Sequence, residues 1–150
     1  ERGASTISLV SQGQRFKTRR DTYRQHSQQA ETLMRQRLEA LSEEARPQAA
    51  ARLLRRIAAV WYALDELGAL RQAIDTFAIT PDAATQAFNQ LTSGLLSIVF
   101  EAADTSIDPD ITRTLVAIFH LMQGKELAGQ ERACGSFGFT HGHFDEPHLL

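Results

Sequence analysis

The sequence predicts an all-α protein: an antiparallel four-helix bundle that is part of a larger helical domain. Three observations carry this. Apolar residues recur every three or four positions over long runs. No segment alternates apolar and polar residues around an Asn-Gly-type turn. Glycine and proline are sparse, 9 and 4 in 150 residues, and fall where helices would start or stop. No period of 20–50 residues repeats, which excludes a solenoid.

The first segment runs from Glu1 to about Ser11 and stops at Gly13, suited to the left-handed position after a helix. A second helix is predicted from about Arg15 to Ser42, with Phe16, Tyr23, Ala30, Met34, Leu38 and Leu41 along one stripe. A third begins at Pro47, a residue pre-set for the first helical position. It carries Ala50, Leu54, Ile57, Trp61 and Leu64 and weakens after Gly68. Thr80-Pro81 forms an N-cap and first-turn pair. The helix it starts has Ala84, Phe88, Leu91, Leu95, Ile98 and Ala102 as its seam. Asp108-Pro109 opens the last helix, expected to end near Gly135 or Gly138 and to give way to a loop, "FTHGHFDEPHLL".

Composition excludes several classes. The apolar fraction, 43%, is that of an ordinary soluble domain. The longest apolar run, "ITRTLVAIFHLM", is too short to span a bilayer and contains Arg113 and His120. One cysteine permits no internal disulfide and fits a reducing compartment. With no initiator methionine and no leader pattern, the chain is expected to be an excerpt. Net charge is +5 over residues 1–71 and −7 over 72–150. This asymmetry reads either as two halves that attract within one bundle or as a nucleic-acid face.

No constellation points to an enzyme. There is no phosphate loop after a strand, and Cys134 has no nucleophile-activating neighbour in sequence. His141, His143 and His148 with Cys134 fit no closed zinc spacing, so no metal is expected. Asp108 and Asp110 read as helix-start charges rather than a calcium loop.

The informative stretch is "MQGKELAGQERACGS". Stepping along the last helix gives Ile111, Leu115, Ile118 and Met122 as core, then Lys125, Gly129, Arg132 and Ser136 in the same register. A rival stripe holds Val116, Phe119, Leu127 and Cys134. The chain opens on a related run, "ERGASTISL", in which Arg2 lies beside Gly3, Ala4 and Ser5. In a bundle, Arg2 and Arg132 can meet. A guanidinium in a sheltered interior needs a carboxylate or a bound anion. Pairing with Glu1, Glu126 or Glu131 satisfies the need. So does a small planar oxyanion, whose oxygens match the guanidinium fork.

These two runs, "ERGASTISLVSQG" and "MQGKELAGQERACGSFGF", resemble the two signatures of the nitrate- and nitrite-sensing (NIT) domain, and "AVWYALDELGALRQ" between them is also similar. The resemblance covers most of residues 1–150, with the preceding helix and the C-terminal part of the sensor outside it. It implies a helical input domain, without catalytic activity, that binds nitrate or nitrite through Arg2 and Arg132. Gly3, Ala4 and Ser5 would assist, and Lys125 would add positive potential. It further implies a cytoplasmic regulator, a homodimer among its allowed assemblies. Its sensor would be joined to an ANTAR-type RNA-binding domain that controls transcription antitermination of nitrate assimilation genes. The competing reading is a non-sensing helical bundle that contacts RNA through "QRFKTRRDTYRQ".

Overall fold

The computed structural model describes residues 1–44 and 51–142. They form six helices and, among the described residues, no strand: α1 (Arg2–Val10), α2 (Lys17–Glu44), α3 (Ala51–Asp65), α4 (Leu67–Asp75), α5 (Pro81–Thr105) and α6 (Pro109–His141). Helix α5 is the axis of the bundle and touches α1, α3, α4 and α6. The three-residue link after Thr105 turns the chain straight back, so α6 runs antiparallel along α5. Helix α1 wedges against both and against the start of α2.

The predicted starts of α5 and α6 hold in detail. Thr80 accepts a hydrogen bond on its Oγ1 from the backbone N–H of Ala83 (3.2 Å), with Pro81 next in line. The Asp108 carboxylate accepts from the N–H groups of Asp110 and Ile111, satisfying donors that a helix start would otherwise leave bare. Gly13 has φ +79°, as the predicted stop requires. Proline 47 and Ala50 lie outside the described residues. The break placed after Gly68 falls at Glu66 instead, and Gly68 sits inside α4. The last helix does not end at Gly135 or Gly138. It continues to His141 and is closed by Gly142 at φ +82°, so Phe139 and Thr140 are helical rather than the start of a loop.

The core joins Leu9 of α1, Val60 and Leu64 of α3, Leu67 and Ile74 of α4, and Ala84 and Phe88 of α5. Leu91, Leu95, Ile98 and Trp61 pack against it, as the seam predicts. Tyr62 does not join them; it is 72% exposed.

Helix α2 departs most from expectation. Phe16, Tyr23 and Ala30 point outward. The inner stripe is Arg20, Arg24, Ser27, Glu31, Met34 and Leu38; the side chain of Leu41 lies outside the description. Three of its first four members are charged, and they are tolerated because partners meet them. Arg24 grips Asp75 with two hydrogen bonds (2.8 and 3.0 Å). Arg20 reaches Asp75 at 3.0 Å and donates to Ser8 Oγ at 3.3 Å. Arg52 of α3 similarly reaches Glu101 and Asp104 of α5. The basic first half and acidic second half therefore attract each other within one bundle.

Helix α6 is also rotated from both predicted registers. Ile111, Ile118 and Met122 are partly exposed, as are Val116 and Leu127 of the rival stripe. The face turned to the bundle is Leu115, Phe119, Glu126, Gly129 and Ala133. No helix among the described residues is long and apolar enough to cross a membrane.

Candidate functional site

Where α1, α5 and α6 converge, a cavity of about 290 Å³ opens. Its apolar floor is Leu67, Phe88, Leu91 and Leu95, and its polar wall includes Glu1, Arg2, Ser27, Glu126 and Arg132. Glu1, the N-cap of α1, and Arg2, its first residue, come from the beginning of the sequence. Helix α6 supplies Glu126, Gly129 and Arg132 from near its other end. A cavity with an apolar floor and a few converging polar groups is the usual form of a small-ligand site.

Arg2 is anchored but not used up. Its Nη1 donates to the Glu126 carboxylate and to Asn89 Oδ1 (2.5 Å). Its Nη2 and Nε donate to no described residue. Nη2 lies over Gly129, close enough that a Cβ there would approach it to 2.8 Å. Glycine at 129 is thus what lets Arg2 Nη2 come this close to α6. Arg132 sits at the mouth of the same cavity, exposed, with no ion pair or hydrogen bond among the described residues.

Glu1 is committed elsewhere. It accepts two hydrogen bonds from Arg71 of α4, each 2.8 Å, and lies 3.6 Å from Arg24 Nε. Burial pushes the Glu1 carboxyl up, but the Arg71 hydrogen bonds and charge outweigh it and hold it below its ordinary 4.5. Of the wall charges, Arg71 neutralises Glu1 and Glu126 neutralises Arg2. Arg132 is left as the uncompensated one.

Of the residues singled out in the sequence, Arg2, Gly3 and Arg132 line the cavity. Ala4 and Ser5 do not; both are buried in the α1 packing, and Ser5 Oγ has no hydrogen-bond partner among the described residues. Lys125 is exposed and off the wall, a consequence of the one-residue difference in α6 register. Glu126 takes the inward place, and the stripe Leu115, Phe119, Glu126, Gly129, Ala133 is the signal that would have found it. No group of three or more potential metal ligands forms among the described residues; His143 and His148 lie outside them.

A family model described as nitrate and nitrite sensing matches residues 1–150. The nitrate regulatory protein of Klebsiella oxytoca is 41% identical over 150 residues, covering 97% of this chain and 36% of the relative. A solved structure of the NasR transcription antiterminator matches with a TM-score of 0.84 at 37% identity, over 98% of this chain and 39% of that one. The chain therefore spans little more than a third of the length of either.

Proposed function

The chain belongs to the nitrate- and nitrite-sensing family, and from that premise we propose that the cavity between α1 and α6 is its anion site, with Arg132 and Arg2 as the ligand-binding pair. One observation carries the reading. Two arginines 130 positions apart in sequence share one cavity wall, one with no partner and the other with a free edge. Nitrate and nitrite are planar and singly charged, so their oxygens match guanidinium N–H pairs. The N–H groups around Gly3 add donors near the start of α1, where the helix dipole favours an anion. The role is binding rather than chemistry.

Nitrate has four heavy atoms. At a ceiling near ~1.5 kcal/mol per atom, affinity reaches roughly 6 kcal/mol, a dissociation constant on the order of tens of micromolar. The anion would join the first and last helices, and that joint is the two-state element for an attached output to read. By analogy with the antiterminator relative, we assign that output to an RNA-binding domain elsewhere in a cytoplasmic regulator. Thermal melting with and without millimolar nitrate tests the binding itself. A ligand confined to the folded state must raise the midpoint; an unchanged midpoint, with chloride as control, removes the site.

Gly129→Ala probes the wall independently. The added methyl meets the far end of a flexible side chain, so Arg2 moves rather than the backbone. Alanine in place of helical glycine contributes up to about 1 kcal/mol of propensity. The expected result is an unchanged or higher melting point with nitrate affinity reduced at least about tenfold, one hydrogen bond's worth. Calorimetry on the variant checks it.

A further inference from the structure

We propose that Glu126 is a built-in competitor for the anion: its carboxylate holds Arg2 Nη1 when no anion is bound, and an oxyanion that takes both Nη groups of the fork, rather than the free Nη2–Nε edge alone, displaces it. The inference rests on the anion-site reading above and adds the group that sets its threshold.

The geometry brings three facts together. The Glu126 carboxylate accepts from Arg2 Nη1, so it already occupies part of the fork a planar oxyanion would use. Carboxylate and nitrate present oxygen pairs of the same kind, and one N–H cannot serve both. Second, Glu126 lines the same cavity as Arg2 and Arg132 rather than a separate flank. Third, the carboxylate has somewhere to go. Gln130 Nε2, one turn along α6, donates to the same Oε1 at 2.9 Å. Released from Arg2, Glu126 retains that partner and is not left bare, which would be costly for a group only 16% exposed.

The consequence is a threshold. Without an anion, Arg2 is neutralised across the α1–α6 joint, and Arg132 is the lining side chain whose charge meets no partner among the described residues. Entry exchanges an internal carboxylate for the ligand on Arg2. Affinity is therefore lower than two open arginines would give, and the contact between α1 and α6 changes identity on binding. Weakening the competitor should tighten binding.

Nitrate titration calorimetry on the full-length protein tests this with Glu126→Gln, Glu126→Asp and Glu131→Gln. Glu126→Gln removes the charge but keeps the shape. Glu126→Asp keeps the charge but shortens the reach by one methylene. Glu131→Gln removes an exposed charge one turn away. Both Glu126 variants are expected to bind nitrate at least about tenfold tighter, with Glu131→Gln as wild type. Tighter binding by Glu126→Gln alone would reduce the effect to general electrostatics and overturn the competitor role. Equal or weaker binding by both, with wild-type binding intact, would overturn it while leaving the anion site standing. If wild type itself binds no nitrate, the site reading falls and this inference with it. Circular dichroism guards against unfolding, and Glu126→Asp keeps the test open if Glu126→Gln does not fold.

Discussion

Arg132→Ala is expected to abolish the nitrate-induced rise in melting temperature while leaving the helical spectrum and the ligand-free midpoint nearly unchanged. The separation follows from where this side chain sits. It is exposed at the cavity mouth and makes no ion pair or hydrogen bond with a described residue, so truncation breaks no polar contact among them, and surface changes of this kind stay within about 0.5 kcal/mol. For an anion the position matters far more. Arg2 is shared with Glu126 and Asn89, and Glu1 is neutralised by Arg71. On the proposed reading, Arg132 would then be the charge that balances a monovalent guest. A charge-assisted bidentate contact is about twice as strong as a neutral hydrogen bond, roughly 3 kcal/mol when each bond is taken near 1.5. Losing half of a ~6 kcal/mol interaction moves binding from tens of micromolar to several millimolar. A variant that keeps a full nitrate shift would detach Arg132 from the site.

That arginine was legible in the sequence for a partly mistaken reason. Three- and four-residue spacing puts Ile118, Met122 and Lys125 on the core face of α6, whereas the helix turns Phe119, Glu126 and Gly129 inward. The middle of α6 has apolar residues on every side, so spacing alone does not select a register. Arg132 then sits at the edge of the buried face, near enough to reach the mouth, while Lys125 is carried outside. The capped starts at Thr80 and Asp108 were readable because a cap is local chemistry, fixed by neighbours two and three residues away. The seam of α5 was readable because Ala84, Phe88, Leu91, Leu95 and Ile98 repeat at helical spacing and all pack into the core.

The inner face of α2 was not readable, and for a physical reason. Pattern reading sends apolar residues inward and charges outward. Here Arg20, Arg24 and Glu31 take the inner positions and Phe16 and Tyr23 the outer ones. What stabilises that inversion is Asp75, Glu1 and Arg71, tens of residues away in sequence. Only the fold brings those charges together. The same holds for the site: two arginines could be nominated from their signature runs, but Glu126, on which the proposed threshold depends, becomes visible only once the rotation of α6 is known.

Arg71→Ala is expected to destabilise the fold by about 3–5 kcal/mol at neutral pH, the usual cost of removing one partner of a buried ion pair. Arg71 and Glu1 are 9% and 6% exposed at their side chains and share two hydrogen bonds of 2.8 Å. Arg24, 3.6 Å from Glu1, offers the orphaned carboxylate partial relief, which argues for the lower end of that range. The dependence on pH distinguishes this from simple loss of packing. In the native protein the Glu1 carboxyl is held below 4.5, so its contribution is complete above the unfolded value and fades as pH falls through the lower, folded one. Asp75 behaves likewise, held below its ordinary 3.8 by hydrogen bonds from Arg24. Without Arg71 the chief group holding the Glu1 carboxyl ionised is gone, and lowering the pH is expected to cost the variant less than wild type. The gap between wild type and variant should therefore be widest near pH 7 and narrow as pH falls below about 5. Urea denaturation at both ends of that interval measures it. A gap that stays constant would mean that Arg71 acts through its packing and that its pairing with Glu1 contributes little.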